Sequence, residues 1–217
     1  MKVGILGSGS VGKALGTAFA TLGHDVMLGS REPERDDVKE WKKKAGGTAK
    51  SGSFADTAKF GEIAVLATAW SGTQNAIQLA GPENLKGKVV IDTTNPLDFG
   101  AGPGKPPRLA VSGQSSAGEQ VQQWLPQSRV VKAINTVGNP HMFRPEFPGG
   151  PPDMFICGND ASAKKEVAQV LRAFGWPDPI DLGGMEAARY VEPLAMIWIL
   201  QYFNTGSGAH AFKLLRK

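Results

Sequence analysis

Cysteine occurs once in this chain of 217 residues, at Cys157, so no intramolecular disulfide can form and no multi-cysteine metal cage can be assembled. A reducing compartment, the cytoplasm, is the expected setting. Histidine is nearly as scarce: His24, His141 and His210 are scattered, neither H-E-x-x-H nor H-x-x-E-H spacing occurs, and no metal site is expected. No G-x-S-x-G elbow follows a strand, and "SGQSSAG" at Ser112 to Gly118 reads as a polar loop, so serine nucleophile chemistry has no signal. Long hydrophobic runs are missing too. The longest, Val191 to Phe203, carries Glu192, Pro193 and Gln201 and is too short to span a bilayer, so no membrane partner is expected. The opening "MKVGILGSGS" has neither a basic leader nor a small-residue cleavage site, and no signal peptide is expected. The net charge of +4 is spread without a basic tract. Nucleic acid is therefore not an expected partner, while an anionic small ligand is compatible.

Glycine and proline are plentiful, at 28 and 15 residues, and imply many tight turns between short elements. Strand-like apolar runs occur at Val3 to Leu6, Asp25 to Leu28, Ile63 to Ala67, Val89 to Asp92, Arg129 to Ile134, Met154 to Cys157 and, more weakly, Pro179 to Leu182. A further weak strand is read at Gly47 to Ser51. Helix-like segments alternate with these runs, which predicts an α/β fold: a Rossmann-type, doubly wound, mostly parallel sheet. Phe99 to Pro107 and Pro145 to Pro152 read as long surface loops flanking the segment that faces a ligand. The charged run Arg31 to Lys44 reads as a solvated helix with Trp41 packing inward. In the tail, apolar residues cover every side of a helix begun near Pro193, which predicts burial all round. Burial between subunits achieves this, and a homodimer is expected. The chain thus divides into a dinucleotide-binding domain, 1–184, and a C-terminal helical segment, 185–217.

The first strand runs into Gly7-Ser8-Gly9-Ser10-Val11-Gly12, a G-x-G-x-x-G, and a helix follows at once with Val11, Leu15, Ala18, Phe19 and Leu22 on one face. Each glycine has a physical task in dinucleotide binding. Gly7 permits the tight turn, Gly9 lets backbone approach a pyrophosphate, and Gly12 lets helix and strand pack closely. The helix N-terminus adds free N–H donors and positive potential.

About twenty residues past this loop, an acid would accept hydrogen bonds from an adenosine 2′-OH. Here the second strand delivers Ser30 and Arg31, with Arg35 one turn on. A hydroxyl and two guanidinium groups suit a 2′-phosphate, which predicts NADP(H) rather than NAD and argues against S-adenosylmethionine. The alternative has Glu32 on the ribose and Arg31 facing solvent. Other strand ends belong to the same crevice: Ala67-Thr68-Ala69-Trp70, Thr93-Thr94-Asn95-Pro96 and Ala133-Ile134-Asn135-Thr136. Of these, Ala67, Thr68, Ala69, Asn95, Ala133 and Asn135 are candidate cofactor contacts.

The segments "GSGSVG", "GSRE", "VLATAW", "VVIDTTNPL", "VKAINTV" and "EAARYVEPLAMIWILQYFNTGSGAHAFKLL" together resemble the NADPH-dependent coenzyme F420 reductases and their bacterial dinucleotide-binding relatives. The resemblance covers nearly the whole chain, and the "KAINT" and tail segments carry it most specifically. Cytosolic domains of membrane metalloreductases look similar as well. The resemblance implies NADP at the glycine loop, Ser30, Arg31 and Arg35 around its 2′-phosphate, and the Ala133 backbone and Asn135 side chain near the nicotinamide. It also implies direct hydride transfer to a deazaflavin, coenzyme F420, with a flavin as the alternative acceptor.

Such transfer requires ring positioning and water exclusion rather than a catalytic side chain, and none is expected. His141 in "NPHMF" is read as a loop-packing residue and Cys157 in "MFICG" as an inert buried thiol. Two further functions fit the same residues: a non-catalytic NADP(H)-binding redox sensor, and a reductase of a small carbonyl or imine substrate that borrows its base from a neighbouring subunit.

Overall fold

The computed structural model describes residues 1–102, 104–215 and 217. In chain order the elements are β1 (Lys2–Leu6), α1 (Ser10–Thr21), β2 (Asp25–Gly29), α2 (Asp36–Ala45), β3 (Lys50–Gly52), α3 (Phe54–Phe60), β4 (Ile63–Leu66), α4 (Trp70–Ala80), β5 (Val89–Asp92), β6 (Leu97–Asp98), β7 (Arg108–Leu109), α5 (Ala117–Trp124), β8 (Arg129–Lys132), β9 (Phe155–Ile156), α6 (Ala161–Ala173), β10 (Ile180–Asp181) and α7 (Ala188–Thr205).

Six strands form a sheet in the order β3-β2-β1-β4-β5-β8, every pair parallel. This is the doubly wound Rossmann arrangement, with the strand order reversing between β1 and β4. Side chains alternate across it as the two-residue strand period requires. Val3, Ile5, Ile63, Val65, Val89 and Ile91 face one layer with Phe19 of α1 and Phe174, just past α6. Leu6, Ala64, Leu66 and Val90 face the other, with Ile77 of α4 and Val121 of α5. Both faces are covered, which explains why the strands read as continuous apolar runs.

Three expectations change. β8 ends at Lys132, short of Ile134, because Ile134 takes φ 60, a left-handed conformation that a β-branched residue rarely adopts and that leaves the ladder. β9 and β10 pair with each other, and β9 meets the main sheet through an antiparallel bridge, Lys132 to Cys157. The third concerns the tail. α7 starts at Ala188 and carries Pro193 inside it. Its first turn is held from outside: Arg189 donates to Glu119 at 2.8 and 2.5 Å, and Glu192 accepts from the N-terminus of α5. Nor is α7 buried all round in the single chain, since Tyr190 is 76% and Ile197 58% exposed while Val191, Glu192 and Ala195 are buried.

The weak strand is real but lies at Lys50–Gly52, beside β2. The loop read at Phe99 to Pro107 joins a small antiparallel hairpin, β6 with β7, and its Pro103 lies outside the described residues. Among the described residues no helix is long and apolar enough to cross a membrane.

Candidate functional site

The carboxyl ends of the parallel strands form one edge, held level by a continuing ladder: Gly7 N donates to Gly29 O at 3.2 Å, Ala67 N to Leu6 O at 2.9 Å, Thr93 N to Leu66 O at 3.1 Å, and Ala133 N to Asp92 O at 3.0 Å. At the switch between β1 and β4 this edge opens into a cleft of about 420 Å³. Its lining includes Gly7, Ser8, Gly9, Ser30, Arg31, Arg35, Ala67, Thr68 and Ala69, residues that the sequence pointed to from three separate segments. Glu32 lines it as well.

The glycines divide by what they make room for. Gly7 sits at φ 131, and a Cβ there would fall 2.2 Å from the Ala67 carbonyl oxygen. A Cβ on Gly12 would fall 1.9 Å from the Gly7 carbonyl oxygen, so α1 lies on the loop only because both positions lack one. Gly9 differs. Its φ of −76 suits any residue, and a Cβ there would meet nothing within 4 Å. No neighbour among the described residues requires glycine at position 9; what its bareness leaves is open backbone at the N-terminus of α1, a cradle that fits a pyrophosphate. Ser10 is exposed beside it, Val11 is half-buried, and α1 has no side-chain cap on its first N–H groups.

The basic end of the cleft is a hydrogen-bonded cluster. Ser8 Oγ donates to Ser30 Oγ at 3.2 Å, and the Glu32 N–H donates to Ser30 Oγ at 3.1 Å. Arg35 donates through Nε and Nη2 to Asp37, and Nη2 also reaches Ser8 Oγ at 3.5 Å. Lys13 Nζ lies 2.5 Å from Asp37 Oδ2. Bonding from Arg35 and then Lys13 holds the Asp37 carboxyl well below the usual carboxylate range, so the cluster keeps its charge at any working pH. Arg31 is exposed and makes no ion pair or side-chain hydrogen bond among the described residues, which leaves its donors free. α2 is anchored behind this cluster by Trp41, whose Nε1 donates to Lys13 O and Thr17 Oγ1, both at 3.1 Å.

Asn95, Ala133 and Asn135 stand further along the same edge, outside the lining of the cleft. Asn95 Nδ2 donates to Asn135 O at 2.8 Å, and Asn135 Nδ2 donates to Asn95 Oδ1 at 2.9 Å. Asn135 is 4% exposed, and its Oδ1 has no hydrogen-bond partner among the described residues. Against α4, the Thr68 and Thr73 hydroxyls lie 2.9 Å apart.

Sequence reasoning missed the opposite wall of the cleft, Phe54, Ser71, Gly72, Asn75 and Ala76, because helix starts and small residues carry no chemical signature. It also missed a buried charge cluster behind the edge, Asp92, Lys132 and Glu192, each at most 1% exposed. A charged residue closing an apolar strand, twice, and another inside an apolar helix were the available signals. His141 packs its ring 4.9 Å from that of Phe147, in keeping with a loop role. Cys157 is buried, and that burial pushes its thiol up to about 12. Among the described residues no group of metal-ligating side chains gathers.

Residues 2–96 match the family described as NADP oxidoreductase, coenzyme F420-dependent. The F420-dependent NADP reductase of Methanocaldococcus jannaschii is 31% identical over 96% of both chains. A metalloreductase of Rattus norvegicus is 29% identical over 90% of this chain and 36% of its own length. A crystal structure from Arthrobacter sp. FB24, provisionally described as an F420-dependent NADP-reductase, superposes with a TM-score of 0.93 at 39% identity over all of both chains. The chain belongs to the F420-dependent NADP oxidoreductase family.

Proposed function

We propose that this protein is an NADPH-dependent oxidoreductase that passes hydride between the nicotinamide of NADP(H) and the deazaflavin coenzyme F420. One observation carries the cofactor half: a bare glycine cradle at the α1 N-terminus and a basic cluster built on Ser8, Ser30, Arg31 and Arg35 line a single cleft. The spacing suits a dinucleotide whose pyrophosphate meets the backbone and whose 2′-phosphate meets the guanidinium groups. The acceptor half rests on the full-length likeness to proteins named as F420-dependent NADP reductases.

The chain's own residues bind and orient. Gly7 to Gly12 fix the pyrophosphate, Ala67 to Ala69 floor the cleft, and Asn95, Ala133 and Asn135 receive the nicotinamide end. Bound NADPH supplies the hydride with both its electrons, and solvent supplies the proton that completes the reduced deazaflavin. The protein's part is to set the two rings face to face and keep water out. Residues 185–217 form the segment that completes the acceptor pocket. The exposed apolar side chains of α7, Tyr190, Ile197, Leu200 and Tyr202, support a homodimer in which a second copy covers them. A cytoplasmic location agrees with the lone, buried free thiol.

Steady-state kinetics test the reading: kcat/KM should be far higher for F420 than for FMN, and for NADPH than for NADH. Turnover of a small imine or ketone instead, or tight NADPH binding with no turnover, would overturn it.

A further inference from the structure

Three segments distant in the sequence, "VVIDTTNPL", "VKAINTV" and the "EPLA" of the tail, each contribute one charged side chain to the same buried point. Lys132 Nζ lies 2.7 Å from Asp92 Oδ2, 3.0 Å from Glu192 Oε1 and 2.8 Å from the Thr94 carbonyl oxygen. The Thr94 contact is a hydrogen bond, while the two carboxylates stand beside the ammonium as ion pairs, and Asp92 Oδ2 has no hydrogen-bond partner among the described residues. N–H and O–H donors hold the other carboxylate oxygens. Asp92 Oδ1 accepts from the Thr94 N–H at 2.9 Å and from its hydroxyl at 2.7 Å, while Glu192 accepts from the N–H groups of Ala117 and Gly118, both at 2.9 Å. Burial alone would lower the lysine's proton affinity, and the two carboxylates outweigh it and hold the ammonium above its ordinary range.

Stability does not explain such a cluster, since buried ion pairs rarely outperform well-packed apolar residues of the same volume. Position explains it better. Asp92 and Lys132 are paired across β5 and β8, and immediately past them the chain turns into Asn95 and Asn135. Between Lys132 and Asn135 lies Ile134, whose left-handed backbone persists only where its surroundings over-determine it. On the other side, Glu192 belongs to α7, and its neighbour Val191 offers a carbonyl to Asn135 Nδ2 at 3.5 Å. Lys132 thus joins the ends of β5 and β8 to Glu192 of the tail helix, and Glu192 in turn holds the N-terminus of α5.

Resting on the NADP(H) reading above, we infer that Asp92, Lys132 and Glu192 are positioning residues: they lock α7 to the Thr94–Asn95 and Ile134–Asn135 turns and so fix the nicotinamide end of the site. Asn135 Oδ1, without a partner among the described residues, is the acceptor this lock presents to the carboxamide N–H of the nicotinamide. None of the three charged residues lines the adenosine end of the cleft.

That separation supplies the test. Wild type, Glu192→Gln and Lys132→Met are compared for binding of 2′,5′-ADP, which carries only the adenosine 2′-phosphate half, by calorimetry. They are compared also for kcat with NADPH and F420, and for the face of hydride loss using NADPH deuterated at either C4 position. The expected result is unchanged 2′,5′-ADP affinity, kcat lowered by about 100-fold as for a small misplacement of the reacting ring, and label lost from both faces in the variants. Wild-type kcat and one-face transfer in variants that bind 2′,5′-ADP would overturn the inference. So would loss of 2′,5′-ADP binding in both variants, which would make the cluster a support of the whole fold. Failure of wild type itself to bind 2′,5′-ADP would instead sink the NADP(H) reading. Should Lys132→Met fail to fold, Glu192→Gln, which keeps the shape and removes one charge, decides alone.

Discussion

Replacing Arg31 by alanine separates the two ways of reading the basic end of the cleft. Arg31 lines the cleft beside Ser30 and keeps its guanidinium free, whereas Arg35 already gives Nε and Nη2 to Asp37. A 2′-phosphate bound there would therefore take its strongest new bonds from Arg31. A hydrogen bond to a charged group contributes about 1.5–3 kcal/mol, and exposure of Arg31 to solvent places it near the lower end, about 1.5–2 kcal/mol. At 1.4 kcal/mol per tenfold, Arg31→Ala should weaken NADPH binding by about 10–30-fold. NADH, which lacks the phosphate, should change by less than about twofold on the same scale. Titration by nicotinamide fluorescence measures both affinities, and rising ionic strength should narrow the gap between them because the charges are exposed. Equal loss for NADPH and NADH would refute the assignment. No change for either, together with weaker NADH binding in Glu32→Ala, would place Glu32 on a ribose hydroxyl and Arg31 in solvent.

Three further outcomes follow from the same geometry. In Gly12→Ala the new methyl would stand 1.9 Å from the Gly7 carbonyl oxygen, so α1 must move off β1, and calorimetry should find NADPH binding abolished; retained affinity would contradict the packing role given to Gly12. In Gly118→Ala the methyl meets Met185 Sδ at 2.7 Å, Ala188 Cβ at 3.0 Å and Lys132 Cε at 3.2 Å, an overpacking that should cost about 1–3 kcal/mol in denaturant unfolding. A stability within error of wild type would mean that α5 and α7 are less tightly joined than the contacts indicate. Cys157, with its thiol pushed up to about 12, should react with a disulfide reagent at pH 8 only after unfolding, followed by absorbance of the released thiolate. Rapid labelling of the native protein would contradict its burial.

The glycine loop and the basic positions were legible in the sequence because both signals are local. Gly7, Gly9 and Gly12 sit within six residues, and Ser30 and Arg31 follow the strand that the apolar alternation marks. The alternation of strands and helices fixed the fold class for the same reason. Less legible was anything that depends on which distant residues meet. Asp92, Lys132 and Glu192 lie 40 and 60 positions apart, and each reads alone as a polar interruption of an apolar run; the parallel register of β5 with β8 and the docking of α7 bring them together. The start of α7 was misread at Pro193 because the residues that hold its first turn, Glu119 and the α5 N-terminus, are supplied by another element. The apolar run Arg129 to Ile134 extends the strand reading through Ile134, yet the chain turns there with φ 60, beside the hydrogen bond from Asn95 to the Asn135 carbonyl. Local propensity yields at that point to a tertiary constraint, at the edge proposed to receive the nicotinamide.

The most direct test of the account is single-turnover transfer of deuterium from C4-labelled NADPH to F420, mixed anaerobically with the protein and read by mass spectrometry of the reduced deazaflavin. Direct transfer predicts that label from one of the two C4 faces appears quantitatively in the deazaflavin ring, and that FMN is not reduced in a parallel reaction. Oxidation of NADPH with no label in F420, or no oxidation despite bound NADPH, would contradict direct hydride transfer between the two rings.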